Sequence, residues 1–185
     1  MKAGRKIFAV LLLTAYWISC RNSSEVKKTT GADGEIIYRS GAGRRTALSL
    51  PDGTDMLMDS FSVVRIPAGF NQRNRDIFLE GSAWFTVHSS GTKPLVVHTR
   101  ALLTTVLDSG TAVFRIEGYP KSPGEEADLL KGRLSITKSY HSGTDNEMAI
   151  LEPGEMVMIN TDIDLMEKEK MDSTELTKLR AAGHP

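Results

Sequence analysis

The chain has 185 residues, and its 23 basic and 23 acidic side chains cancel at neutral pH. Without net charge it lacks the long-range field that draws nucleic acid or an anionic membrane surface to a protein, so no nucleic-acid partner is expected. Its length suffices for one domain with a core of its own, and a single cysteine leaves no thiol pair for an internal disulfide.

Lys2, Arg5 and Lys6 precede an apolar run from Ile7 to Ile18, followed by Ser19 and Cys20. A basic start, an apolar centre and a small residue before the break predict an export signal over residues 1–20. The run is shorter than the roughly 20 apolar residues a helix needs to cross a bilayer. Cys20 stands where a lipoprotein signal is cut, so its thiol is expected to carry a diacylglyceryl group at the mature N-terminus. Trp17 occupies a position where Leu is usual. An uncleaved anchor with an ordinary Cys20 and a cleaved soluble product stay open as alternatives. Each of the three places the body of the protein outside the cytoplasm.

Residues 21–43 are polar and rich in Ser, Thr, Lys and Gly, and read as a flexible tether, with Glu35–Arg39 able to add a first short strand. GAGRR at 41–45 lacks the Lys-Ser or Lys-Thr and the preceding apolar strand of a phosphate loop. From 44 to 162 the pattern is almost wholly β. TALSLPDGTDMLM (46–58) is broken by a Pro51-Asp52-Gly53 turn, and Val64 and Ile66 alternate before Pro67-Ala68-Gly69. In RDIFLEGSAWFTV (75–87), Ile77, Leu79, Gly81, Ala83, Phe85 and Val87 share one parity and so line one face of an extended chain. Gly91–Pro94 turns into KPLVVHT (93–99). Then come Leu102–Leu107, Ala112–Ile116, a polar loop at Tyr119–Ala127, and Leu129–Ile136 with Gly132 at its middle. Pro153-Gly154 turns into Met156–Ile159. About nine to eleven short, evenly spaced strands predict an all-β single domain, as a sandwich, a barrel-like sheet or a solenoid. Residues 163–185 form a polar tail, where Asp172 and Glu175 are spaced to cap a short helix through Leu176 and Leu179. Those two leucines make a narrow apolar stripe, which leaves its docking open.

Little in the chain reads as chemistry. His88, His98, His141 and His184 are scattered, with no pair or carboxylate at ligand spacing, and His98 is expected to face solvent. Ser109-Gly110-Thr111 is a turn and no nucleophile elbow. Asp52, Asp55 and Asp59 lack the oxygen spacing of a calcium loop and read as turn and edge carboxylates. Arg44–Arg45 and Arg73 with Arg75 read as solvated loop charge. No catalytic residue, metal or cofactor is expected. Phe78 and Trp84 stand on the parity opposite the core face. In a single sheet they would be exposed aromatics marking a partner surface; covered on both faces they become ordinary packing, the reading preferred here. The methionines at 156, 158, 166 and 171 read as edge filling.

LPDGT at 50–54, R-x-I-x-L-x-G-x-A-W-F-x-V at 75–87, KPLVVHT at 93–99, LLKGRLSI at 129–136 and L-x-P-G-E at 151–155, in that order, resemble the FecR family. These proteins are regulators of extracytoplasmic sigma factors, and the resemblance is to their extracytoplasmic domain over roughly residues 46–160. Ser82 replaces a carboxylate that members usually carry, and VLDSGTAVF (106–114) stretches a compact V-L-G-T-x-F segment. A full-length member has a cytoplasmic helical segment that grips the sigma factor, then a membrane helix; here only residues 1–6 precede the apolar run, and no second large domain follows. The resemblance thus implies a FecR-like domain on a lipid tether, without the anti-sigma segment.

The expected function is a non-catalytic signalling or regulatory module of the bacterial envelope, on the periplasmic side or at the outer membrane. It would be membrane-anchored through Cys20 and act by contact with an envelope protein such as a transporter or membrane regulator. The alternative is a structural or ligand-binding envelope lipoprotein unrelated to sigma-factor control.

Overall fold

The computed structural model describes residues 26–88, 93–143, 146 and 148–183. Cys20 and His184 therefore lie outside the described residues. Fourteen strands and one helix follow in the order β1 (Lys27–Thr30), β2 (Ile36–Arg39), β3 (Thr46–Ser49), β4 (Asp55–Met58), β5 (Val63–Ile66), β6 (Arg75–His88), β7 (Leu95–His98), β8 (Leu102–Val106), β9 (Thr111–Gly118), β10 (Gly124–Lys131), β11 (Leu134–Lys138), β12 (Ala149–Leu151), β13 (Glu155–Asn160), β14 (Leu165–Lys170) and α1 (Ser173–Ala182). The all-β class with a short C-terminal helix is as expected. None of the described helical residues forms a span long and apolar enough to cross a membrane.

The long strand β6 decides the architecture. Its first part pairs with β5 and with β7, and its second part pairs with β4 and β9. One half-sheet therefore runs β1-β2-β5-β6-β7-β8-β11-β12 and the other β3-β4-β6-β9-β10-β13-β14. The two halves fold over one core and nearly close into a barrel-like sheet. The crossing point is Gly81, at φ +104°, where a Cβ would lie within 2.5–2.8 Å of Ser62. Ser62 Oγ donates to the Ser82 carbonyl and accepts from the Ser82 amide, so the backbone must pass this close. Only glycine takes both that dihedral and that approach without strain.

The parity read from the sequence holds through the crossing. Ile77, Leu79, Ala83, Phe85 and Val87 are all buried, because the inner face of one half-sheet continues into the inner face of the other. Phe85 stacks on Phe114 of β9, ring centroids 4.9 Å apart, at the centre of the core. β6 and β7 pair in parallel, Arg75 opposite Leu95 and Phe78 opposite His98. A parallel neighbour needs a crossover, and here the second part of β6, running out through the other half-sheet, provides much of it.

Several boundaries differ from expectation. Residues 27–30, within the expected tether, form β1, while the short strand offered at Glu35–Arg39 is present as β2, which pairs with β5 as Ile36 and Tyr38 pack on the core. The expected tail holds β14, paired along its length with β13. Leu129–Ile136 divides at Gly132 (φ +90°) into β10 and β11, which lie in different half-sheets; a Cβ at Gly132 would sit 2.9 Å from that of Ala112. The expected loop 119–127 is shorter, since β10 begins at Gly124. Glu125 turns inward there, and its carboxylate accepts from Thr99 Oγ1 (2.5 Å) and the Ala101 amide (3.0 Å). Those bonds serve one carboxylate oxygen and Arg100 stands 3.4 Å from the other, so a charge that the hydrophobic pattern alone would place outside is compensated within.

Two motif residues meet where the sequence keeps them apart. Arg75, read above as solvated loop charge, is buried, and its guanidinium holds Asp52 of the Leu50–Thr54 turn at 2.6 and 2.9 Å. Asp52 also accepts from the Thr54 amide and hydroxyl, both at 3.0 Å, and Arg75 reaches the Lys93 carbonyl. LPDGT and the start of β6 are thus two halves of one buried polar joint. Lys138 forms another, with Asp164 Oδ1 and Ser142 Oγ at 3.0 Å each.

Candidate partner-docking faces

The crossing at Gly81 sends the two outward-facing aromatics of β6 to opposite outsides of the molecule. Phe78 lies on the outer face of the first half-sheet, in a register row of Ile37, Arg65, Phe78, His98 and Leu103 across β2, β5, β6, β7 and β8. All five are half-buried. The Phe78 ring stacks on the His98 imidazole with centroids 4.7 Å apart and planes 25° from parallel. The Arg65 guanidinium lies 5.3 Å from its centroid. Asp76 faces His98 at 3.9 Å. A shallow space of about 310 Å3 opens beside the ring, between Arg65, His98, Arg100 and Pro120. His98 therefore meets solvent only in part: its ring is spent on Phe78.

Trp84 lies on the outer face of the second half-sheet, in a row of Leu57, Trp84, Arg115, Asp128 and Met156 across β4, β6, β9, β10 and β13. It is only 4% exposed. α1 crosses above this face, and Gly183 presses on the indole so closely that a Cβ there would fall 2.7 Å from Cζ3. The helix forms because Asp172 accepts from the Thr174 and Glu175 amides while the Glu175 carboxylate returns to the Asp172 amide. That reciprocal cap satisfies the first amides of the turn. Leu179 is the residue it buries. At its far end Arg45 donates to the Ala182 carbonyl and holds Asp59 at 2.7 Å. Arg45, expected as loop charge, is thus a clip on the helix C-terminus, where a cation is favoured.

Beside Trp84, Arg115 is shared among Glu126 (2.8 Å), Asp128 (3.0 Å) and Glu117 (3.2 Å). Three carboxylates on one guanidinium leave excess negative charge. Burial, then the Glu126 charge, push the Asp128 carboxyl up to about 7, with Arg115 opposing them. Glu155 moves the other way: its bond to Lys168 holds its carboxyl below the usual range. The Trp84 Nε1 hydrogen has no acceptor within the described residues.

The remaining candidates disperse. Asp52, Asp55 and Asp59 go to Arg75, Ser49 and Arg45, so they share no centre. His88 and His141 are exposed and far from His98 in register. No group of three or more His, Cys, Asp or Glu side chains is placed to hold a metal ion among the described residues. The Glu125, Arg75–Asp52 and Arg115–Asp128 sites escaped the sequence reading, because each needs a partner from a distant strand.

The profile of the family described as FecR protein matches residues 36–135 of the chain. Two crystal structures of a candidate anti-sigma factor from Parabacteroides distasonis ATCC 8503 share the fold, with TM-scores of 0.67 and 0.66 and 24% identity. They align with 77% and 78% of this chain, which spans 63% and 64% of theirs. No curated protein matches the chain.

Proposed function

The chain belongs to the FecR family, and from that premise we propose that it is a non-catalytic signalling module of the cell envelope, tethered by a lipid on Cys20, that binds an envelope protein through the outer face of its first half-sheet. The observation that carries this reading is the setting of Phe78. The ring is held between Arg65 and His98 in the middle of a half-buried row, beside an open space bordered by Arg100 and Pro120. A fixed, partly exposed aromatic flanked by cationic and aromatic neighbours loses little freedom on binding and offers a large contact area, the composition found at the centres of protein interfaces. The partner is expected to be a transporter component or membrane regulator. The tether is supported by the basic start, short apolar run and Cys20 of the sequence.

Affinity capture of the tagged full chain from envelope membranes tests both parts. The chain should bring down a specific envelope protein, Phe78→Ala should lose it, and Cys20→Ala should move to the soluble fraction. Capture unchanged by Phe78→Ala would remove the docking face, and unchanged fractionation of Cys20→Ala would remove the lipid tether.

A further inference from the structure

The outer face of the second half-sheet is covered, but poorly filled. Glu175, Lys178, Leu179 and Ala182, on one side of α1, stand over a space of about 300 Å3 whose floor includes Arg115, Asp128 and Met156. Leu179 is the residue of α1 buried there, and Gly183 adds only backbone over Trp84. The space opens to solvent alongside the helix, so α1 covers Trp84 but leaves the part of the face around Met156 and Asp128 unfilled. α1 follows the last strand, so the sheet beneath it is complete in its absence.

We propose that this face is a docking groove for an amphipathic helix of a partner protein, occupied in the resting chain by α1 as a weak internal substitute. The inference rests on the reading of the protein as a contact module but concerns the face opposite Phe78. The chemistry of the groove specifies the incoming helix. Met156 and the underside of the space call for bulky apolar side chains at the i, i+3/i+4 spacing where α1 offers Leu179 and Ala182. Glu117, Glu126 and Asp128 outnumber Arg115, so a Lys or Arg belongs beside them, where α1 brings Lys178. Trp84 Nε1, buried and without an acceptor, is a donor left over for the newcomer. An internal occupant lowers the apparent affinity for an external helix by the fraction of time the groove stands open. α1 therefore sets a threshold that only a better-fitting helix crosses.

The probe is a labelled peptide of residues 171–183 carrying Ala182→Leu, titrated by fluorescence anisotropy into the full chain and its Leu179→Ala variant. Both chains also carry Trp17→Phe, which leaves Trp84 as the one tryptophan of the two in the sequence. Leu179→Ala should bind the peptide about tenfold more tightly than the unsubstituted chain, because its own helix competes less. Acrylamide should quench Trp84 more strongly in that variant. A peptide that also carries Lys178→Glu should bind about tenfold more weakly. Ala182→Leu placed in the full chain should act in reverse, filling the space, protecting Trp84 and weakening peptide binding. This arm needs no destabilised protein. Equal peptide affinity in all chains, or Trp84 quenching that ignores both substitutions, would overturn the inference. Since Phe78→Ala is read on the other face, capture unchanged by Phe78→Ala with peptide competition intact would fault the docking reading alone, and capture lost in Phe78→Ala with equal peptide affinity in all chains would fault this one alone.

Discussion

Phe78 and Trp84 leave the same strand on the same parity, yet one ring meets solvent and the other does not. Phe78 stands half-buried beside an open space, kept in place by side chains of neighbouring strands. Trp84 stands on a face that the chain revisits, because β14 ends at the sheet edge and α1 folds back across it. Parity says that a residue points outward. Whether the outside is water depends, for Trp84, on what the chain does 99 residues later at Gly183.

The contrast between the faces breaks most completely if the joints beneath them fail. Arg75→Ala leaves Asp52, in the turn between β3 and β4, buried without its cationic partner, and should cost about 3–5 kcal/mol, read as a lowered urea midpoint. Gly81→Ala drives a Cβ into Ser62 at a positive φ, where the strand passes from one half-sheet to the other. A loss of about 3 kcal/mol or more is expected, with both faces disturbed together; a neutral effect would mean that the crossing is not tight.

Asp128 sharpens the covered side. Its carboxyl has an ordinary value of 3.8 and is raised to about 7 in the fold. Between those limits the folded chain keeps a proton that the unfolded chain has released. The contribution is therefore complete below about pH 4 and is lost as pH rises to about 7. Asp128→Asn should remove this pH dependence, leaving the variant more stable than the parent at pH 8 by about 1–3 kcal/mol. A denaturation series from pH 4 to 8 that stays parallel for the two proteins would contradict it. Phe78→Ala marks the small end of the scale. With the ring half-exposed, the loss of its Arg65 and His98 contacts should cost about 1 kcal/mol, although the same change is expected to abolish partner capture.

Much of the β framework was legible locally. The alternation in 75–87 identified the buried face of β6 correctly, since side chains on an extended chain alternate regardless of which sheet it joins. The Asp172–Glu175 spacing found α1 for the same reason: a capping box closes within four residues. The failures share a cause as well. Arg75 looked like surface charge and 119–127 like a polar loop because a sequence pattern weighs a charged side chain by its own cost of burial, while the fold supplies Asp52 to Arg75, and Thr99 with the Ala101 amide to Glu125, from elsewhere in the chain. β14 looked like polar tail because an edge strand exposed along most of its length carries little apolar signal.

Phe78 and Trp84 mark the same boundary. The order of residues along β6 determined the outward direction of Phe78 and Trp84 and the glycine between them, and five motifs in order along the chain carried the family resemblance, because these depend on local geometry and on residues read in sequence. Only the tertiary structure decided that Gly81 is a crossing between half-sheets, that β7 returns in parallel, and that a helix from the far end of the chain settles over one aromatic and not the other. Those outcomes rest on contacts between distant segments, whose free energies no local pattern contains.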